Sequence, residues 1–292
     1  MSLAEQFPDI TKRNQPLAPF THLKIGGPAE FVVQPRSVDE LNAVVNACQR
    51  DKVSVRMLGG GFNLLIKDDP VPGAVIRLTA EPFTFLRREG KRVTAGGGAQ
   101  LFDLIAFTVK NGLGGLETLV GIRGTVGGSV RCNVGDRSGE ICQTVRNVTV
   151  LTDTGNVQVR GRDELTFTEH QSDIDEPVIL SVEFELESEP PPTVMNRLLK
   201  TWIQRKAAEP LSFQAAVRLF RNPPGNTAAS LIDRAQMTKS RAGGAELSER
   251  NSNYAVAHPG TTARDILQLA ETVRAKVKER TGVSLERELH VW

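Results

Sequence analysis

The sequence predicts an α/β fold, and three observations carry that prediction. In the first 80 residues an apolar run, a helix-period segment, a second apolar run, a glycine triplet and a third apolar run follow one another, which is the order of alternating strands and helices. From about residue 80 a second unit repeats the theme, with a strand running into another glycine triplet and then into a helix. Near the C-terminus a sharply bounded amphipathic helix precedes a closing apolar strand. At 292 residues, 39% hydrophobic and 24% charged, the chain is globular rather than disordered and long enough for two or three domains.

Each element has its own signal. Residues 1–20 show little periodicity and read as an N-terminal arm. Phe31, Val32 and Val33 form a short strand closed by Gln34 and Pro35. Ser37 and Glu40 make a capping box, and Leu41, Val44, Val45 and Cys48 recur at helical spacing, so a helix is expected to about residue 50. Strands are expected over 53–58 and 74–78, with Gly59-Gly-Gly61 between them. Arg92-Val-Thr-Ala95 is a strand that leads into Gly96-Gly-Gly98. Leu101, Leu104, Ile105 and Val109 then give a helix stopped by Gly112. Residues 144–152 and 155–159 alternate around Asp153-Thr-Gly155 and predict a hairpin. Residues 177–186 read as a long strand. Residues 187–192 read as a stiff polar linker before a helix over 194–208. The segment 213–225 holds a Pro/Gly turn, and a short helix is expected near 228–235. The last helix is capped at Thr262-Ala-Arg-Asp265. It carries Ile266, Leu269, Ala270, Val273 and Val277 on one face, ends at Gly282, and is followed by a strand over 285–292.

Composition excludes several function classes. A net charge of +2 gives no global basic field of the kind that drives nucleic-acid binding. No apolar run approaches the roughly 20 residues of a membrane span. The first residues show neither a basic leader nor an apolar core, which predicts a cytoplasmic protein. Three cysteines, Cys48, Cys132 and Cys142, are an odd number without metal-ligand spacing and point to a reducing compartment. His22, His170, His258 and His290 form no paired ligand motif, so no metal site is expected.

The chemistry concentrates in residues 121–140, with glycines at 121, 124, 127, 128, 135 and 139. That density is too high for a helix or strand interior, where each glycine costs roughly 0.5–1 kcal/mol. Thr125, Ser129 and Asn133 add short polar side chains. Exposed main-chain amides beside hydroxyls suit a diphosphate-bearing cofactor, although a ligand-free glycine loop fits this stretch equally well. Neither Gly59-Gly-Gly61 nor Gly96-Gly-Gly98 belongs to a dinucleotide-binding GxGxxG, and there is no Walker lysine loop. A nucleotide-type ligand would therefore be held outside a Rossmann frame.

Six segments together, Thr21 with Gly27, Gly59 with Leu65, Gly121 with Gly135, Phe220-Arg-Asn-Pro223, Ala228 with Ile232, and Gly282 with Glu288, resemble the UDP-N-acetylenolpyruvoylglucosamine reductase family (UDP-N-acetylmuramate dehydrogenase) in order and spacing. The resemblance covers nearly the whole chain and the compact type of the family. It implies a two-lobed FAD-binding region of the PCMH type, residues 1–82 and 83–190, and a C-terminal α/β substrate-binding domain, residues 191–292. It implies FAD, NADPH as hydride donor, and a UDP-sugar substrate whose enolpyruvyl double bond is reduced in peptidoglycan precursor synthesis. By resemblance Gly59, Gly60, Gly61, Asn63 and Leu64 lie against the FAD diphosphate, and Thr125, Gly127, Gly128, Asn133 and Gly135 line its other side.

The chain departs from the family where the chemistry is done. A phosphate-facing serine of the family is Phe62 here, and its Ile-Pro-Gly is Ile122-Arg123-Gly124. Its Tyr-Arg-x-Ser is Glu169-His170-Gln171-Ser172, and the serine that protonates the intermediate is replaced by Arg218, while the final glutamate is kept as Glu288. The sequence thus assigns catalysis to Arg218, Glu288 and His170. Arg218 serves as a fixed charge, since a guanidinium does not release its proton, and Glu288 or a water delivers the proton. An FAD-binding protein that has lost this activity, or an oxidase on another substrate, are the alternatives.

Overall fold

The computed structural model of the chain describes residues 1–210 and 214–292. Phe213, the start of the expected turn-bearing segment, lies outside the described residues. The chain forms two compact units. One comprises Met1–Gln15, Ala29–Gly60 and Pro72–Ile203; the other comprises Pro16–Pro28, Gly61–Val71 and Gln204–Trp292.

The first unit contains two sheets. A four-stranded sheet has the order Thr11–Pro16, Pro28–Val33, Val71–Ile76, Val55–Met57. Its last two strands run parallel, with Val55 opposite Ala74 and Met57 opposite Ile76. The helix Val38–Arg50 turns Leu41, Val44, Val45 and Cys48 into a core with Phe31, Val33, Ala74 and Ile76. The Ser37 hydroxyl accepts the Glu40 amide at 3.1 Å, as the cap signal predicts. The Glu40 carboxylate instead takes the Arg36 amide at 2.7 Å, so the reciprocal half of the box closes one residue early. The N-terminal segment is not a plain arm: Leu3–Gln6 is a helical turn, and Thr11–Pro16 is the edge strand of this sheet. Its side chains are mostly exposed, so an edge strand of this kind leaves no alternation to read.

The five-stranded sheet is antiparallel, in the order Val157–Gly161, Val145–Leu151, Val178–Glu185, Arg92–Gly96, Leu86–Glu89. The expected hairpin is present, with Leu151 opposite Val157. The helix Leu101–Lys110 buries Leu101, Leu104, Ile105 and Val109 against Val148, Val150, Val182 and Phe184. Gly112 follows it at φ +64°, a conformation that costs a residue with a Cβ about 1–2 kcal/mol. The proposed linker is structured. Glu187–Ser188 pairs with Leu113–Gly114, and the helix Pro191–Ala208 begins on the prolines themselves, whose missing amides cost nothing in a first turn.

The second unit is built on a four-stranded antiparallel sheet, in the order Ala216–Arg218, Tyr254–Ala257, Ala245–Leu247, Arg241–Ala242. Helices Ala228–Arg234 and Ala263–Thr281 share its core, which includes Val217, Phe220, Ile232, Ile266, Leu269 and Val273. Gly282, at φ +74°, closes the long helix by donating its amide to the Lys278 carbonyl at 3.0 Å. The expected closing strand is broken: His290–Val291 pairs parallel to Leu64–Leu65, and Arg287 forms a single antiparallel bridge with Phe220. Among the described residues, no helix is long and apolar enough to cross a membrane, and no cluster of three or more His, Cys, Asp or Glu could hold a metal.

Candidate active site

Gly59 and Gly60 follow the strand Val55–Met57, and Gly61 continues the turn at φ +62°. Among the described residues, no group accepts a hydrogen bond from the amides of Gly59, Gly60 or Gly61. Three consecutive unpartnered donors are costly unless water or a ligand meets them. A Cβ on Gly59 would stand 2.6 Å from the Thr125 hydroxyl oxygen, so this loop lies directly on Thr125.

Thr125 is the N-cap of a short helix, Val126–Arg131, and its hydroxyl oxygen accepts the Gly128 amide at 3.4 Å. Gly127 and Gly128 therefore sit in a helical turn, contrary to the expectation that so many glycines exclude helix. The reason is close packing. The Gly127 amide donates to the Gly97 carbonyl at 2.8 Å, the Val126 amide to the Ala99 carbonyl at 2.8 Å, and a Cβ on Gly127 would lie 3.0 Å from the Gly97 oxygen. These helix-start amides are spent on the Gly96-Gly-Gly98 turn, whereas those of Gly59 to Gly61 remain open. Asn133 is fully buried at φ +38°. Its side chain donates to the Glu140 carboxylate and the Thr168 carbonyl, both at 2.9 Å, and accepts the Cys142 amide at 3.3 Å. Gly135 pairs opposite Glu140, and a Cβ there would stand 2.3 Å from the Gly139 carbonyl. Arg123 is exposed.

The residues of this unit fit a flavin dinucleotide. The unpartnered amides of Gly59 and Gly60 supply donors for a diphosphate, and the absence of side chains lets it approach the backbone. His170 belongs to the same unit, at the tip of the hairpin formed by Phe167–Thr168 and Gln171–Ser172. It holds φ +56°, and its ring has no hydrogen-bond partner among the described residues. Ser172 donates its hydroxyl to the Arg131 carbonyl at 2.9 Å.

In the second unit, Arg218 ends the strand Ala216–Arg218, with its Nε 3.0 Å from Oε2 of Glu288. Glu288 has only 10% of its side chain exposed and Arg218 has 25%. The approach is off-axis, so Oε2 has no hydrogen bond of good geometry among the described residues. The main chain fixes both partners. The Glu288 amide donates to the Leu219 carbonyl at 2.9 Å, the Arg221 amide to the Glu286 carbonyl at 2.9 Å, and Asn63 reaches the Glu288 carbonyl at 3.4 Å through its side-chain amide. Asn253 clamps the next residue, accepting the Phe220 amide at 3.1 Å and donating to the Phe220 carbonyl at 2.8 Å. Leu64 is buried beside this segment, paired with His290. Phe62, in place of a hydroxyl, stacks on His22 with ring centroids 4.9 Å apart.

One group here was not singled out from the sequence. Tyr254, the sole tyrosine of the chain, lies directly across the sheet from Arg218. Burial holds its hydroxyl above the usual tyrosine range; Glu209 and Glu288 push the same way, against Arg218 and Arg205. A lone tyrosine in a four-residue strand carries no sequence signal, because only the strand pairing brings it to Arg218.

Residues 209–292 match the family model described as UDP-N-acetylenolpyruvoylglucosamine reductase, C-terminal domain, and residues 29–160 match an FAD binding domain. The UDP-N-acetylenolpyruvoylglucosamine reductase of Rhodopirellula baltica is 32% identical over 100% of this chain and 97% of its own. That of Clostridium botulinum is 33% identical over 98% and 95%. The crystal structure of UDP-N-acetylenolpyruvylglucosamine reductase (MurB) from Thermus caldophilus superposes with a TM-score of 0.82 at 32% identity, covering 97% of this chain and 98% of that one. The full-length match, the two domain models and the glycine loop with its open amides agree: the chain belongs to the UDP-N-acetylenolpyruvoylglucosamine reductase family.

Proposed function

We propose that this chain reduces the enolpyruvyl group of UDP-N-acetylglucosamine enolpyruvate to UDP-N-acetylmuramate, in peptidoglycan precursor synthesis, with its substrate-side chemistry rebuilt around Arg218. The protein is an FAD-dependent oxidoreductase of the reductase family. When bound, FAD relays hydride from NADPH to the substrate. The observation that carries the reading is the Arg218–Glu288 pair, nearly buried at Glu288 and locked to the main chain on both sides. A decayed site has no need of a buried charge pair, which stays in place only when the surrounding structure holds it.

In this reading Gly59, Gly60, Gly61, Asn63 and Leu64 hold the FAD diphosphate, with main-chain donors rather than side-chain charge. Thr125, Gly127, Gly128 and Gly135 shape its other side, and Asn133 keeps that loop rigid through its three hydrogen bonds. Arg218 binds the substrate carboxylate and stabilises the enolate-like charge that develops on it, as a cation that needs no reorganisation. Glu288 aims Arg218, and His170 offers a hydrogen-bond donor to the UDP-sugar. Residues 1–82 and 83–190 serve as flavin-binding lobes and residues 191–292 as the substrate-binding domain; the extents of the two matching family models, 29–160 and 209–292, support a boundary between the FAD-binding region and the C-terminal domain. The small net charge supports a partner list without nucleic acid, and an odd number of cysteines without metal-ligand spacing supports a cytoplasmic location.

An anaerobic two-step titration tests the reading. NADPH is expected to bleach the flavin, and the enolpyruvyl UDP-sugar is expected to restore its colour. A flavin that bleaches and stays bleached keeps the cofactor assignment and removes the substrate.

A further inference from the structure

We propose that Tyr254 is the proton donor that completes the reduction; this rests on the reductase reading above. Addition of hydrogen across the enolpyruvyl double bond needs a hydride at one carbon and a proton at the other. The family's hydroxyl donor is absent from its slot, which Arg218 fills. A guanidinium is a donor that does not give up its proton. Glu288 is turned toward Arg218 at 3.0 Å. An acid that the fold brings to this place, directly across the ladder from Arg218, is the phenol of Tyr254.

Geometry places it there. Arg218 and Tyr254 are direct partners in the antiparallel ladder, so their side chains leave the same face of the sheet about 5 Å apart at Cβ. The main chain of Tyr254 is pinned on both sides: its amide donates to the Asn251 carbonyl at 3.0 Å, and its carbonyl accepts the Ser248 amide at 2.8 Å. The ring is only partly exposed, yet the hydroxyl has no hydrogen-bond partner among the described residues. Four charged groups act on it: Arg218 from its sheet, Glu288 from the C-terminal segment, and Arg205 and Glu209 from the end of the helix Pro191–Ala208 and the residue after it.

The step balances. Hydride from NADPH, relayed by the flavin, forms a C–H bond at one carbon of the double bond, and the π pair moves to the carbon bearing the carboxylate. That carbon takes the proton of the Tyr254 hydroxyl, so a second C–H bond forms and the O–H bond breaks. The phenolate left behind faces the Arg218 cation and recovers a proton from water. Because burial keeps the hydroxyl protonated far above neutral pH, the acid is loaded at the start of each turnover.

The test follows the two half-reactions by stopped flow in the FAD-loaded protein. In Tyr254→Phe, bleaching by NADPH is expected at the wild-type rate, and colour recovery with the enolpyruvyl UDP-sugar is expected to slow by about 10²–10⁴-fold. A second measurement needs no substitution. Since the chain has one tyrosine, biosynthetic replacement by fluorotyrosine makes that single phenol more acidic, and the recovery rate alone is expected to change. Recovery at the wild-type rate in Tyr254→Phe, or an unchanged rate in the fluorinated protein, overturns the assignment. A wild-type flavin that never recovers its colour overturns the reductase reading itself, and is distinguished by failing before any variant is made.

Discussion

The Nε of Arg218 lies 3.0 Å from Oε2 of Glu288, and main-chain hydrogen bonds hold the strand end of one against the C-terminal segment of the other. The pair is therefore a rigid cation mount. Arg218→Ala is expected to lower turnover by about 10²–10³-fold, the usual cost of removing one preorganised charge-stabilising group. The yellow flavin spectrum should be unchanged, because the open amides of Gly59 to Gly61 do not depend on Arg218. Steady-state assays and visible absorbance check both halves. Unchanged turnover would show that the retained motif is a structural relic.

The Gly96-Gly-Gly98 turn packs backbone to backbone against the strand Val178–Glu185, which makes a sharp stability prediction. A Cβ on Gly97 would stand 2.0 Å from the Ile179 carbonyl, and the Gly97 amide already donates to the Leu180 carbonyl at 2.8 Å. Nothing there is a flexible side-chain end, so Gly97→Ala must displace main chain, at a cost of about 1–3 kcal/mol or more. Gly260→Ala is the control: its Cβ would meet nothing within 4 Å, and only its φ of +85° costs energy, about 1–2 kcal/mol. Thermal melts should place Gly97→Ala well below Gly260→Ala. Equal melting temperatures would mean that the Gly97 turn can move off the strand Val178–Glu185 without loss.

Long elements with regular burial were legible in the sequence; contacts between distant short ones were not. The helices Val38–Arg50, Leu101–Lys110 and Ala263–Thr281 each carry a one-sided apolar stripe and a cap, and they stand where those signals put them. The sheet containing Arg218 and Tyr254 escaped notice because its strands are two to four residues long, too short for a period to repeat. Residues 187–192 looked like a linker because proline and glutamate are poor strand and helix-interior residues, yet an edge pair and a helix start tolerate both. In the candidate site the glycines were visible, but the division of labour among them was not. That Gly127 donates to Gly97, while Gly59 to Gly61 donate to no described residue, depends on packing between segments some 30 residues apart.

The three thiols differ in accessibility, and labelling should separate them. Cys48 is 1% exposed, and burial, with Asp51 nearby, pushes its pKa up to about 11. Cys142 is also buried, and burial followed by the Glu140 carboxylate raises its pKa. The thiolate is the reactive form, so both should resist iodoacetamide in the native protein at pH 8. Cys132, which is only partly buried, should react first. Peptide mapping by mass spectrometry checks the order, and unfolding should make all three react. Rapid native labelling of Cys48 would contradict the packing of the helix Val38–Arg50.

The cap of the last long helix sets a pH-dependent part of the stability. The Thr262 hydroxyl oxygen accepts the Asp265 amide at 3.2 Å, while the Asp265 carboxylate accepts the Thr262 amide at 3.0 Å and the Gly244 amide at 3.4 Å. These bonds, the one from Thr262 foremost, hold the Asp265 pKa below the ordinary aspartate value. A folded-state pKa below the unfolded one, near 3.9, means that the stabilisation is complete above that value and fades as pH falls through the folded value. Asp265→Ala should therefore cost about 0.5–2 kcal/mol at pH 7, the range for a lost N-terminal cap. At pH 3 the gap between variant and wild type should narrow, because the carboxylate of the unfolded chain is then largely protonated and folding has to release that proton. Urea unfolding at the two pH values measures this directly. A gap of the same size at both would show that the carboxylate charge contributes nothing and that the Thr262 hydroxyl alone caps the helix.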